Sequence, residues 1–245
     1  MSRSLAVVIL HYGDPGLTER IHAQLARSDP DLRERVFVLD NAAPEPYGDA
    51  WLRSGENLYW GGALAFCAQE FGERGYSHLW FLNNDIYFAS KPPHLSRAWG
   101  RLKRLEAAVG RIGVYSPAAL QNPYHPQMVA DPRFQYRRAQ LADGIAPLLN
   151  LECVREVGGV DCEDNVLGYG VEMWLSLRAS RAGWGVVVDH QVTLRHSYHS
   201  TAKRVDGFLA RAGEAERRYL AARMGEEYAG EIDRLRADFK DFETL

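Results

Sequence analysis

The stretch "FLNNDIYF" (residues 81–88) runs an apolar segment into Asn83, Asn84 and Asp85 and then returns to apolar residues. Polar side chains at the end of a buried strand are costly unless they find partners. Either the strand turns at solvent there, or those groups face a ligand that carries its own charge. A second polar cluster is "LRHSYHS" (194–200), with His196 and His199. Their spacing would suit zinc, but no clear further ligands accompany them. A third feature is Glu172 in "VEMWLSLRA" (171–179), in the first turn of a predicted helix.

The elements around these residues read as an α/β protein. "LAVVIL" (5–10) is a β-branched apolar run bounded by His11, Tyr12, Gly13, Asp14 and Pro15, a buried strand ending in a loop. "LTERIHAQLARS" (17–28) sets Leu17, Ile21 and Leu25 at helical spacing, and "RVFVLD" (35–40) is again a buried strand. Strand, helix and strand with short loops imply a right-handed crossover in a parallel sheet. Ligands of such sheets lie beyond the carboxyl ends of the strands, here His11 to Asp14 and Asp40 to Asn41. "NLYWGGALAFCAQEFGERG" (57–75) reads as a Gly61-Gly62 turn followed by a helix, and "HLWFL" (78–82) as a third strand. Asn83, Asn84 and Asp85 therefore share an edge with the first two loops.

Further on, a surface helix is expected from Lys91 to Val109, strands at "IGVYSP" and "WGVVVD", and helices at "ECVREVGGVD" and "GVEMWLSLRASRAG". Residues 121–138 carry no clear period and read as an irregular loop or small hairpin. After Lys203 the pattern becomes a long charged helix with Tyr228, Ile232, Leu235, Phe239 and Phe242 on one stripe. That stripe is expected to pack on the preceding domain, with self-association into a homo-oligomer as the alternative. The expected division is a catalytic domain, 1–202, and a C-terminal helical extension, 203–245.

At 245 residues the chain can bury a sizeable core, and its net charge of -3 gives no global attraction to nucleic acid or anionic lipid. The basic residues are scattered, so a nucleic-acid partner is not expected. Three cysteines without CxxC spacing suggest neither a disulfide framework nor a zinc site, and fit a reducing compartment. No apolar run is long enough for a signal-peptide core or a membrane span. A soluble, cytoplasmic protein is the expectation, with peripheral contact at the inner face of a membrane left open.

In order and spacing over about residues 4–200, "VVILHYGD", "VFVLDN", "NLYWGGALAFC", "FLNNDIYF", "VREVGGVD", "GYGVEMWLSLRASRAGW" and "LRHSYHS" resemble the blocks of the family 2 inverting glycosyltransferases. The likeness is to the compact bacterial members, rhamnosyltransferase-like enzymes of surface polysaccharide synthesis. It implies a GT-A fold: a Rossmann-like, mixed and mostly parallel sheet flanked by helices. It also implies a nucleotide diphosphate sugar donor and a saccharide or lipid-linked saccharide acceptor. A divalent cation, Mn²⁺ or Mg²⁺, is the implied cofactor.

Residue by residue, the family's Asp-x-Asp motif resembles Asn83-Asn84-Asp85, which keeps the last carboxylate as the metal ligand and replaces the first with an amide. His196 stands where a histidine often joins the metal or diphosphate. Val171 and Glu172 stand where an acidic pair opens a helix, so Glu172 is the implied general base, and a helix N-terminus would favour its ionised form. Asp40 resembles the residue that hydrogen-bonds the nucleotide base, a reading that favours a UDP or dTDP sugar. His11 and Tyr12 stand where the first loop packs on base or ribose. Trp60, Gly61 and Gly62 lie between the base and metal edges, where glycine would let the backbone approach the donor. Asp161 and Tyr169 belong to loops that surround donor sugar and acceptor.

Two competing functions fit parts of the same sequence. A nucleotidyltransferase would carry a glycine-rich, basic loop after the first strand, whereas "HYGDPGLTE" has neither Lys nor Arg. A non-catalytic nucleotide-sugar or glycan-binding module would explain the acids missing at Asn83 and Val171, while Asp85 and Glu172 argue against it.

Overall fold

The computed structural model describes residues 3–197 and 205–245. The chain begins β1 (Arg3–His11), α1 (Pro15–Ser28), β2 (Val36–Asp40), β3 (Leu52–Arg53), α2 (Tyr59–Glu73), β4 (Tyr76–Asn83), β5 (Ile86–Phe88) and α3 (His94–Val109). It continues with β6 (Ile112–Ala119), β7 (Tyr136–Ala139), β8 (Leu148–Asn150), α4 (Leu151–Glu156), α5 (Val171–Arg181) and β9 (Gly185–His196). The extension adds α6 (Phe208–Met224), α7 (Tyr228–Ala237) and β10 (Phe239–Phe242).

One mixed sheet runs β10-β7-β9-β6-β8-β4-β1-β2-β3, and β5 pairs with β9 off this path. The half that carries the first three loops, β4-β1-β2-β3, is parallel, as the crossover pattern predicts. Helices cover both faces, so strand residues of either parity are buried. Leu5, Val7 and Ile9 of β1 pack with Ile21 and Leu25 of α1 and Leu95 and Leu102 of α3. The alternate residues Ala6, Val8 and Leu10 pack with Leu64 and Phe71 of α2 and Leu175 of α5. A strand buried on both sides has no polar alternation, which is why "LAVVIL" is uniformly apolar.

Caps define where the helices begin. Asp14 accepts the Gly16 N–H at 2.8 Å ahead of α1, with Pro15 at its first position. Asn150 does the same for α4 through the N–H groups of Glu152 and Cys153. Gly61 and Gly62, expected in a turn, lie inside α2. A Cβ at Gly61 would stand 3.0 Å from the Val166 carbonyl, which accepts the Gly61 N–H at 2.8 Å. Glycine there lets α2 approach the loop before α5, rather than a donor.

The extension is not one helix. Gly225, at φ 86°, ends α6, and Phe239 and Phe242 belong to a strand whose partner, β7, comes from the stretch read as irregular. Phe242 stacks on Tyr136 with ring centroids 4.6 Å apart. Ile232 and Leu235 do pack on the domain, against Val171, Met173 and Leu177 of α5. Arg223 of α6 clamps the join, reaching Asp161 at 2.5 Å and Asp164 at 2.8 Å, while the Tyr219 hydroxyl donates to the Asp161 carbonyl at 2.6 Å. His199 and the boundary expected at 202–203 lie outside the described residues. Among the described residues no helix is long and apolar enough to cross a membrane.

Arg223→Ala removes the guanidinium that bridges the half-buried Asp161 and the exposed Asp164, and should cost about 1 kcal/mol of stability in urea unfolding. An unchanged unfolding midpoint would show that the clamp does not hold the extension in place.

Candidate active site

Beyond the carboxyl ends of β1, β2 and β4 lies a cleft of about 540 Å³. Tyr12, Trp60, Asn83, Asn84, Asp85, Glu172 and His196 all line it, together with Asn41, Asn57, Tyr59 and Asp143. Residues separated by more than half the chain therefore meet there.

The antiparallel pairing of β5 with the end of β9 sets Ile86 opposite His196. Asp85, one residue earlier, receives the Ser197 N–H on its carbonyl at 2.9 Å, and its Oδ1 lies 2.9 Å from His196 Nε2. A carboxylate oxygen and an imidazole nitrogen so close, in a cleft, are a donor pair suited to a divalent cation, provided that a ligand supplies more oxygens. Among the described residues no group of three or more His, Cys, Asp or Glu side chains could hold a metal ion. The two side chains fit a cation shared with a diphosphate and do not fit a closed structural site.

The two asparagines of the motif are held from behind. Trp60 donates its indole N–H to Asn83 Oδ1 at 3.1 Å. That indole is wedged between two glycines: a Cβ at Gly144 would lie 2.8 Å from its ring, and one at Gly168 2.7 Å. Asn84 donates to Thr18 Oγ1 at 3.0 Å, and Thr18 shares a 2.7 Å hydrogen bond with His11 Nδ1. His11 Nε2 lies 2.8 Å from the Glu45 carbonyl, so Nε2 carries the proton and Nδ1 accepts from the Thr18 hydroxyl. His11 is wholly buried and does not line the cleft. It supports Asn84 instead of touching base or ribose.

Asp40 is likewise withdrawn from the cleft. Its carboxylate accepts from the Ala43 N–H at 2.9 Å, the Tyr47 N–H at 3.1 Å and Arg53 Nη1 at 2.6 Å, and it is fully buried. A carboxylate so occupied organises the loop after β2. The neighbouring Asn41 does face the cleft, donating to Asn57 Oδ1 at 2.9 Å and accepting the Leu58 N–H at 2.8 Å. Ala42 and Tyr59, near these asparagines in sequence, sit at φ 53° and 54°, a left-handed conformation rare for side-chain-bearing residues. Such strain persists only where surrounding contacts impose it.

Across the cleft, Glu172 occupies the first turn of α5 as the sequence implies. Its ionisation differs from expectation. Burial, then the charges of Glu216 and Asp143, push its carboxyl up to about 8, against the N–H groups of Gly170 and Glu172 that favour the anion. Desolvation outweighs the helix terminus here. Asp143, also buried, is pushed up to about 6 although Ile145 N–H and Asn122 donate to it. Neither Asp143 nor Glu216 stands out in the sequence, because one lies between the elements read there and the other is one charge among many on a long charged helix. Asp161, expected near the donor sugar, instead serves the Arg223 clamp and accepts from Trp174 Nε1 at 3.1 Å. Tyr169 does line the cleft.

No protein-family model matches the chain. The uncharacterized proteins Mb1552 of Mycobacterium bovis and MT1576 and Rv1525 of Mycobacterium tuberculosis are each 27% identical to it over 209 residues, 81% of this chain and 76% of theirs. Among solved structures, GalNAc-T7 with UDP, GalNAc and Mn²⁺ aligns at a TM-score of 0.60 and 13% identity over 97% of this chain. The chain spans about half of that protein's length, 54%. Mannosyltransferase PcManGT from Pyrobaculum calidifontis, in complex with GDP-Man and Mn²⁺, aligns at 0.56 and 14% identity over 97% of this chain and 76% of its own. At such identities the likeness is one of fold, and the fold is GT-A, as the sequence blocks imply.

The Glu172 carboxyl has a pH signature. A folded-state pKa raised above the ordinary value means that its contribution to stability is fully present below about pH 4.5 and is lost as pH rises through about 8. Glu172→Gln removes that loss, so its melting temperature should gain on the wild type progressively from about pH 5 to 8 and level off above. A constant difference across that range would contradict the raised carboxyl.

Proposed function

We propose that this chain is an inverting glycosyltransferase that moves a sugar from a nucleotide diphosphate sugar, of UDP or dTDP type, to a hydroxyl of a saccharide or lipid-linked saccharide in surface polysaccharide synthesis. The observation that carries the reading is the meeting, in one cleft of a GT-A fold, of the Asp85–His196 pair and Glu172. Residues 1–202 would form the catalytic domain and 203–245 an extension docked on it.

In this reading Asp85 and His196 would hold a divalent cation, Mn²⁺ or Mg²⁺, which would supply positive charge against the one that develops on a leaving diphosphate. Glu172 takes the proton of the acceptor hydroxyl as its oxygen attacks the anomeric carbon from the face opposite the diphosphate. A carboxyl near 8 is a stronger base than an ordinary glutamate, and proton transfer is most efficient when the catalytic pKa lies near the working pH. The nucleotide base lies toward Tyr12, Asn41, Asn57 and Tyr59. Asn57 accepts on Oδ1 from Asn41 and from the Tyr59 N–H, which leaves its NH₂ group for a carbonyl of uracil or thymine. Asn83 and Asn84, tied to Trp60 and Thr18, hold the strand end rigid beside Asp85.

Calorimetry with UDP, dTDP and GDP, in Mn²⁺ and in chelator, tests the donor side. Binding of UDP or dTDP should weaken at least about tenfold in chelator or in Asp85→Ala. Glu172→Gln should bind the nucleotide normally yet release it from a UDP- or dTDP-sugar about 10²–10⁴ times more slowly. Binding without turnover in the wild type would favour a non-catalytic module of the same fold, and near-normal turnover in Glu172→Gln would reject this base.

A further inference from the structure

Two side chains of the extension reach the cleft with polar groups that the described residues pair weakly or not at all. Glu216 of α6 is half-buried there, and its carboxylate makes no hydrogen bond or ion pair with any described residue. Arg236, the other residue, lies near the end of α7 and has a buried Nε without a partner. Its terminal nitrogens have only long contacts, 3.4 Å to Asp233 Oδ1 and 3.7 Å to Met173 Sδ. Burying the Arg236 Nε unmatched costs stability, so its persistence at a cleft beside the half-buried Glu216 carboxylate points to a ligand that completes them.

Both are held in register with Glu172. A Cβ at Gly170 would lie 3.3 Å from Glu216 Cγ and 3.2 Å from Leu220 Cγ, so α6 rests against the N-cap of α5, the helix whose first turn carries Glu172. Ile232 and Leu235 fix α7 on Val171 and Met173 of the same helix. The Arg223 clamp keeps the assembly seated. The extension thus brings a carboxyl close to the position where Val171 has none.

We propose that Glu216 and Arg236 form the acceptor subsite and select a neutral, hydroxyl-bearing saccharide, an inference that rests on the glycosyltransferase reading above. A sugar hydroxyl both donates and accepts, and a carboxylate beside a guanidinium matches both roles. The Asp143 and Glu216 carboxylates oppose an acceptor that brings its own carboxylate or phosphate to this place, and Glu172, protonated near neutral pH, adds a hydrogen-bond donor there and no charge. Apolar walls complete it. Phe208 lines the cleft with its ring 6.3 Å from that of Tyr59 and 6.4 Å from that of Tyr169, and Leu209 and Tyr124 are exposed at the same cleft. Such surfaces suit the C–H faces of a pyranose.

The test is saturation-transfer NMR on the full chain with methyl glycosides and methyl glycosiduronates, each with and without UDP and Mn²⁺. Neutral glycosides should bind the wild type and lose at least about tenfold in affinity in Glu216→Ala and in Arg236→Ala, while UDP affinity stays within about twofold. Where circular dichroism shows either alanine variant unfolded, Glu216→Gln and Arg236→Gln carry the comparison. Unchanged saccharide binding in the variants, binding confined to glycosiduronates, or no saccharide binding by the folded wild type overturns the inference. Saccharide binding that depends on Glu216 and Arg236, with UDP, dTDP and GDP all failing to bind, would leave the subsite standing and remove the nucleotide-sugar reading.

Discussion

The cleft depends on a short antiparallel ladder between β5 and the end of β9. Three rungs, Ile86 to His196, Tyr87 to Arg195 and Phe88 to Leu194, bind segments more than 100 residues apart in sequence. Side chains alternate across a strand, so a slip of one residue would turn His196 away from Asp85. The ladder is protected on both sides. Ile86, Phe88 and Leu194 are buried in the core, and Gln24 of α1 binds both the N–H and the carbonyl of Phe88, closing an edge that would otherwise be open. The return to apolar residues after Asp85 is what makes this possible: "IYF" is the strand that brings the histidine to the carboxylate.

Around that pair the cleft is organised by opposing electrostatic demands. In the proposed reaction a cation and a diphosphate would call for few, well-fixed charges, and the motif offers one carboxylate, with amides at Asn83 and Asn84 tied by Trp60 and Thr18. An acceptor hydroxyl would in turn call for a group that binds its proton, a character that burial beside Asp143 and Glu216 lends to Glu172. Neutral residues at 83 and 171, where the resembling family carries acids, keep further like charges from accumulating beside Asp85, Asp143 and Glu172. The extension participates in this balance because Glu216 and Arg236 both face the cleft.

Much of this was readable from the chain itself, for local reasons. Short β-branched runs, helical spacing and strand-terminal polar residues fixed the parallel half of the sheet and put Tyr12, Asn83, Asn84 and Asp85 on one edge. The differences have a common cause, which is partners supplied by loops and by distant segments that carry no periodic signal. His11 and Asp40 end their strands as expected, but Glu45, Ala43, Tyr47 and Arg53 turn them inward. Gly61 looks like a turn residue until Val166 packs on it. β7 carries no detectable period because its strand partners are β9 and β10, the latter about a hundred residues on. Asp143 and Glu216 lacked any local signal, since what distinguishes them is the enclosure that the assembled fold imposes.

The central claim is that Asp85 and His196 hold a divalent cation against the diphosphate of a nucleotide donor. Pulsed electron paramagnetic resonance of Mn²⁺ in the presence of UDP reads that arrangement directly. The account predicts a phosphorus hyperfine coupling together with an imidazole nitrogen coupling, the latter abolished in His196→Ala. Bound Mn²⁺ that shows neither coupling would contradict it.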